Sequence, residues 1–323
     1  MTAKVVSVAN MKGGVGKTTV AVALAHELAK GVGAKPGERV LLIDLDAQAN
    51  ASFWLSGDEA LSELIERGKT VDGFLEDTII FGKTPQLKDY VHQTTILSGA
   101  DMKIFVIPSS PGLRIVEREM ISFLSRRTRS LLEVERVVSE LLVDQLEKLK
   151  ADFDVIIFDS APGISALTEA ALRASDLVVV PTVPDFISNL GLEAFCKSVW
   201  WSNKDSPEER TPFVLANMVK TTEHHKSMLA EMREEAGAED GAFKMFALEI
   251  PDMPWIEEAT ASVNGAGARA FAADASGLFA KLAAEVVEAM NAPAPPRRPR
   301  PEPLHRPEPG ISPIVEATNG SAH

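Results

Sequence analysis

Short runs of β-branched and apolar residues alternate along the chain with longer stretches whose apolar residues recur at helical spacing. Lys4–Ala9, Arg39–Asp44, Lys103–Ile107, Asp154–Phe158, Leu177–Pro181 and Phe213–Asn217 are too short and too uniformly apolar for amphipathic helices, and predict buried strands. Ala247–Pro251 reads as a shorter seventh. Between them, Thr18–Lys30, Ser130–Lys150, Ser165–Ser175, Leu190–Asn203 and Glu223–Ala236 carry apolar residues at the helix period, and a last amphipathic helix is expected over Ala275–Met290. Strands alternating with helices imply βαβ units. The expected fold is α/β, a mostly parallel twisted sheet with helices on both faces. Residues 51–102 fit no single pattern and are expected to hold short helices and loops inserted after the second strand.

Composition sharpens this picture at the ends. The segment 292–323 is dense in Pro and Arg (Pro-Pro-Arg-Arg-Pro-Arg-Pro) and too poor in apolar residues to build a core, which predicts a disordered tail after a folded domain over 1–291. The chain has 323 residues, 45% of them apolar, enough to bury a large core. Its formal charge of −13 argues against a uniformly basic surface but leaves room for a local basic patch. With one cysteine, Cys196, the chain can form neither an internal disulfide nor a cysteine-ligated cluster of its own. The N-terminus lacks the charged and apolar regions of a signal peptide, and no run approaches a membrane span, so a cytoplasmic location is expected.

The chemistry is concentrated at strand ends. The first strand runs into Met11-Lys12-Gly13-Gly14-Val15-Gly16-Lys17-Thr18-Thr19, and a helix begins at about Lys17. Glycines at that junction let the backbone turn tightly and aim its N–H groups inward, where the helix dipole adds to an anion nest for phosphates. Lys17 is expected to bridge the β- and γ-phosphates of a nucleoside triphosphate, and the Thr18 hydroxyl to ligate Mg²⁺. A chance glycine-rich turn is the bland alternative, and the flanking strand and helix disfavour it. Met11 occupies the place where the general phosphate-loop pattern has glycine, and a second lysine, Lys12, follows. A lysine there cannot easily fold back onto its own nucleotide. It is either a solvated surface residue or a cation that reaches a nucleotide held by a second copy, as an arginine finger does.

Two acidic motifs follow. Asp44 and Asp46 end the second strand in Asp44-Leu45-Asp46-Ala47-Gln48-Ala49-Asn50-Ala51-Ser52; if the chain turns after Ile43, both can reach one site, one orienting water and one anchoring Mg²⁺-bound water. The apolar strand Asp154–Phe158 delivers Asp159-Ser160-Ala161-Pro162-Gly163, with Asp159 placed to reach Mg²⁺ through water. All three motifs stand at the C-terminal ends of expected strands, where open α/β sheets bind ligands.

Lys-Gly-Gly-Val-Gly-Lys-Thr-Thr resembles the deviant Walker A signature of the ParA/MinD family of ATPases. The resemblance runs from residue 4 to about 290. It implies a P-loop NTPase fold, ATP and Mg²⁺ as ligands, and a homodimer that forms around ATP with Lys12 crossing the interface. It assigns Asp46 to water activation and Asp44 to support of the metal site. Ala47 and Ala49 stand where the family usually has Pro and Gly, and Ala161 departs from its usual Asp-x-Pro-Pro. Asn217 and Pro251 fall where relatives contact adenine, although both also suit a strand end and a turn.

Family branches differ in output. The nitrogenase iron protein needs cluster cysteines and the arsenite branch a Cys-x-x-Cys motif; neither fits one cysteine. Bacterial tyrosine kinases carry a tyrosine cluster, whereas Tyr90 is the only tyrosine. MinD ends in a basic membrane-binding helix, whereas Lys281 here faces Glu285 and Glu288. The resemblance therefore favours a ParA/Soj-like protein that binds DNA non-specifically on the nucleoid and positions a plasmid, chromosome or other cargo, its hydrolysis stimulated by a ParB-like or cargo-adaptor protein. By rough alignment Arg210 and Arg233 fall near DNA-binding positions, with Lys220 and Lys226 able to join them; Arg233 is equally placed to pair with neighbouring acids. No helix-turn-helix precedes the phosphate loop, so promoter-specific binding is not expected. A MinD-like membrane-associated ATPase is the alternative, and a metabolic phosphotransferase a third.

Overall fold

The computed structural model describes residues 2–32, 37–94, 102–128, 130–202, 211–239, 241–254 and 276–292. Its centre is one eight-stranded sheet in the order β3-β4-β2-β5-β1-β6-β7-β8. The strands are β1 Lys4–Val8, β2 Arg39–Leu45, β3 His92–Gln93, β4 Lys103–Ile107, β5 Val155–Ser160, β6 Leu177–Thr182, β7 Phe213–Val219 and β8 Lys244–Pro251. All pairs are parallel except β3 against β4. Every strand expected from the sequence is present within a few residues, and β8 starts three residues earlier than the sequence suggests. The two-residue β3 was not expected.

Alternation along the central strands divides their side chains between two cores. Val6, Val8, Val40 and Leu42 face one side, where α1 (Lys17–Lys30) and α2 (Asn50–Ser56) pack with the last helix, Ser276–Asn291. Val5, Leu41, Ile43, Ile156 and Phe158 face the other. There they meet α4 (Val71–Leu75), α5 (Leu113–Ser125), α6 (Leu131–Leu149) and α7 (Ala166–Ala174); α3 (Asp58–Glu66) follows α2. Helices α8 (Phe186–Ser202) and α9 (Glu223–Gly237) cover the β6–β7 end through Phe195, Val199 and Met232. Such strands are buried on both faces, which is why they read as continuous apolar runs.

Residues 51–102 hold α2, α3 and α4, a π-helical turn at Glu76–Ile80, a 3₁₀ turn at Leu87–Tyr90 and β3. Helix α5 was not expected from the sequence, although Leu113, Val116, Met120 and Leu124 form its buried stripe. The final helix, α10, is anchored to the core by Phe279, Leu282, Ala283 and Val286. Its Glu285 carboxylate accepts hydrogen bonds from the backbone N–H groups of Ala247 (2.8 Å) and Leu248 (3.3 Å). This helix is part of the fold. Among the described residues, no helix is long and apolar enough to cross a membrane. The expected tail lies outside the described residues from 293 onward.

Leu24 is fully buried on α1, between the sheet and α10. Leu24→Ala is expected to cost about 2–5 kcal/mol in urea unfolding, the range for an unrelaxed core cavity. A cost well below 1 kcal/mol would mean that the α1 face is not packed as described.

Candidate phosphate and metal site

The site forms where β1, β5 and β2 end side by side. Register sets Asp159 directly between Val8 on β1 and Asp44 on β2. The loop from Ala9 to Gly16 crosses above them. Gly14 (φ 71°) and Gly16 (φ 85°) adopt left-handed backbone that side-chain-bearing residues rarely enter, and Gly16 is the residue from which α1 starts. A Cβ on Gly16 would also collide with the Asn217 amide.

The loop is tied down by contacts from three directions. Asn10 donates to the Pro181 carbonyl (2.8 Å) and accepts from the Lys12 N–H (3.0 Å). Asn217, buried at the end of β7, donates to the Val15 carbonyl (2.8 Å). Lys12 Nζ donates to Ser188 Oγ (2.7 Å) and forms an ion pair with Asp185 (3.3 Å) at the start of α8. Lys17 Nζ, buried below the loop, donates to the Lys12 carbonyl (2.8 Å). Burial lowers the Lys17 pKa, and the charges of Asp159 and Asp46 partly offset that.

The two buried acids differ in how they are satisfied. Asp44 accepts the Asp46 N–H (3.0 Å), the Ser52 N–H (2.9 Å) and the Ser52 hydroxyl (2.6 Å). Ser52 Oγ in turn accepts the Ser109 N–H (2.8 Å), linking this turn to the end of β4. Burial raises the Asp44 pKa to about 6 despite these bonds. Asp159 is fully buried too, yet neither of its carboxylate oxygens completes a hydrogen bond within the chain. Burial, then the charge of Asp44, pushes its pKa well up, with Thr18 and Lys17 offsetting in part. A buried carboxylate with two free oxygens is costly unless a cation meets it. Beside the Thr18 hydroxyl and a glycine cradle, it is an oxygen-donor arrangement that fits Mg²⁺ with a phosphate chain.

Asp46 is half-buried, and its carboxylate caps the turn by accepting the Gln48 N–H (2.9 Å). Ala49 completes that turn in left-handed backbone (φ 51°), the conformation for which glycine is the usual choice. Gly13, Val15, Lys17, Thr18 and Asp159 thus converge, with Asp44 and Asp46 on the adjoining turn. Pro251 ends β8 opposite Val219, one strand beyond Asn217. The Asn217 amide is engaged with the phosphate loop itself, a role the sequence did not suggest.

The candidate DNA contacts behave differently. Arg210 lies outside the described residues. Lys220 pairs with Asp252 (3.5 Å), Lys226 with Glu223 (2.7 Å) and Arg233 with Glu249 (2.8 Å). Arg233 therefore pairs across to β8 and not with the acids beside it in its own helix. Asn10, Ser52, Asp185 and Ser188 were missed. Asp185 had a legible signal, since it caps α8 by accepting the Ser188 N–H (2.7 Å), the spacing of a helix N-cap.

A glycine-rich strand-to-helix loop with a buried lysine, over an aspartate ending a central parallel strand, defines a P-loop nucleotide-binding protein. The family model described as an AAA domain matches residues 3–207. Over about three-fifths of the chain, it is 32% identical to the sporulation initiation inhibitor protein Soj of Bacillus subtilis and to the chromosome partitioning protein ParA of Caulobacter vibrioides. The chain belongs to this family, the ParA/MinD type of P-loop ATPases. The matched stretch spans 64% of Soj and 62% of ParA, less than two-thirds of either relative. In fold the chain is similar to McdA from Cyanothece (20% identity, TM-score 0.65, 88% of this chain and 99% of that one). It is also similar to cobyrinic acid a,c-diamide synthase from Mycobacterium smegmatis with a bound ATP analogue and magnesium (22%, 0.64, 92% and 100%).

Replacing Asp159 by Asn removes a buried charge that Thr18 and Lys17 offset only in part. Asp159→Asn is expected to stabilise the protein kept free of nucleotide and Mg²⁺ by about 1–3 kcal/mol, read as a higher melting temperature. The same variant should lose the further stabilisation that ATP with Mg²⁺ gives the wild type. A destabilised variant under nucleotide-free conditions would contradict the unsatisfied-charge account.

Proposed function

We propose that this protein hydrolyses ATP with Mg²⁺ in a cycle that switches it between an ATP-bound homodimer on DNA and a released monomer, and so positions a plasmid, chromosome or other cargo. The observation that carries this reading is the pair of lysines on one phosphate loop. Lys17 is buried over Asp159, whereas Lys12 points away, 39% exposed and held by Asp185 and Ser188. One loop thus supplies a cation to its own phosphates and offers a second one outward. The names of the relatives, Soj and ParA, favour partitioning as the output.

In this reading the loop N–H groups and Lys17 hold the phosphates, while Thr18 and Asp159 hold Mg²⁺. Mg²⁺ supplies charge neutralisation for the phosphate oxygens. Asp46 orients the attacking water, and Asp44 acts from behind by fixing the turn that carries Asp46. Lys12 leaves Asp185 to meet the partner copy's nucleotide. Its ion pair is partly solvated, and such pairs contribute only about 0–1 kcal/mol, so a phosphate group readily outcompetes it. Asn217 and Pro251 border the base. A ParB-like or cargo-adaptor protein stimulates hydrolysis, and the protein works on the nucleoid in the cytoplasm. Burial of α10 in the core leaves no comparable support for the MinD-like membrane reading.

Co-sedimentation with DNA and with liposomes, each in ATP and in ADP, tests the output. ATP-dependent DNA binding that fades at high salt supports it, and liposome binding alone refutes it. Lys12→Ala is expected to abolish ATP-driven dimerisation and turnover in light scattering and phosphate-release assays, while nucleotide binding partly survives. Normal dimerisation would rule out a trans role for Lys12. Asp46→Ala should trap the ATP dimer and lower turnover at least about a hundredfold, the scale of a lost general-base contribution; unchanged hydrolysis would exclude Asp46 as the water-orienting group.

A further inference from the structure

Three of the four cations expected to meet DNA already stand beside acids: Lys220, Lys226 and Arg233 each pair with a carboxylate of the chain, which lowers the net charge they present to an approaching phosphate. The arginines ion-paired among the described residues are Arg67, Arg136, Arg173 and Arg233. Arg114, Arg118, Arg126 and Arg127 are not among them. All four are exposed, and all stand on α5 or the turn that follows it.

Their arrangement is regular. Arg114, Arg118, Ser122 and Arg126 recur every four residues and so form one ridge of the helix surface. At 1.5 Å per residue the ridge is about 18 Å long, with Arg114 and Arg118 about 6 Å apart. Phosphates of one duplex strand rise about 3.4 Å per step, so this ridge spans about five steps. Arg118, Ser122 and Arg126 line an open groove of about 520 Å³ with Ile80, Ile115, Phe123 and Glu119. Arg114 and Arg118 also line a second groove on the other flank of α5, together with Glu117 and Glu135, and the Arg114 charge acts on Glu117 there. Glu119 is the one acid lining the first groove. Arg127 rests on the Phe123 ring, 3.9 Å from its centroid, a contact that holds the guanidinium in place without neutralising it.

We propose that the α5 ridge, Arg114, Arg118 and Arg126 with Arg127 beside them, is the surface that meets the phosphate backbone of duplex DNA. The proposal rests on the DNA-binding reading above and replaces the α9 cations as its contact surface. In a chain of net charge −13, a helix and following turn with four exposed arginines, of which Arg118, Arg126 and Arg127 form no ion pair among the described residues, is where a polyanion approaches at least cost. Guanidinium forks on a rigid helix suit phosphate oxygens and read no base edges, in keeping with binding that ignores sequence.

The test measures anisotropy of a fluorescent random-sequence duplex with full-length protein, ATP and Mg²⁺ across a salt series. Arg118→Ala/Arg126→Ala is expected to weaken binding at least about tenfold and to lower the log–log salt slope by about 2. Arg118→Lys/Arg126→Lys should keep most of the slope, because the charge remains. Melting temperature and basal ATP turnover should match the wild type, which separates lost contact from lost folding, since Arg126 also stands at the C-terminal end of α5. Lys226→Ala/Arg233→Ala should bind nearly as the wild type does. Undiminished binding by the α5 variant, or a loss confined to the α9 variant, overturns the proposal while leaving the DNA reading intact. No ATP-dependent binding by the wild type overturns both. If the α5 arginines instead prove necessary for binding vesicles of anionic phospholipid and not duplex, the surface belongs to a membrane and the proposal fails.

Discussion

Two carboxylates stand side by side at the buried centre of the sheet, and most of the surrounding structure can be understood as an answer to them. The parallel register of β2 and β5 places Asp44 against Asp159 with no exposure to water. Like charges in such surroundings disfavour each other's ionisation. The chain satisfies one with Ser52 and backbone N–H groups, and leaves the other's oxygens without hydrogen bonds beside Lys17 and Thr18. That asymmetry leaves Asp44 shaping a turn, and in the proposed cycle a bound cation would offset the cost of burying Asp159.

The phosphate loop is held as tightly as the acids are buried. Its entry is fixed to β6 through Asn10 and Pro181, its apex region to β7 through Val15 and Asn217, and its outer lysine to α8 through Asp185. These anchors come from consecutive elements of one half of the sheet. The turn bearing Asp46 is secured from the other half, through Asp44, Ser52 and Ser109. A ligand between loop and turn would touch both halves at once.

The glycine loop, the acids at strand ends and seven of the eight strands were legible because each is written in contiguous residues. The contacts that organise them were not. Lys12 and Asp185 are 173 positions apart, and Val15 and Asn217 are 202 apart, so no local pattern joins them. Helix α5 was overlooked although its buried residues follow helical spacing, since Ile115, Ile121 and Phe123 stand outside that stripe and blur its period, and it follows a Ser-Ser-Pro-Gly turn. β3 is two residues long and depends wholly on pairing with β4. Asn217 illustrates the limit most sharply. Its position at a strand end was readable, but its closeness to Gly16, which leaves no room for a side chain there, is a fact of packing.

Pairing also decides how the chain's charge should be read. Composition gives −13 and argues against a cationic protein, while alignment nominates Arg210 and Arg233, with Lys220 and Lys226 able to join them, as cations for a polyanion. Arg210 lies outside the described residues, and each of the other three pairs with an acid of the chain. A cation with a carboxylate beside it presents little net charge to a phosphate, whereas a guanidinium without one presents its whole charge. By that reasoning the short α5 ridge outweighs Lys220, Lys226 and Arg233. Net charge and nominal position are both poor guides until each cation's partner is known.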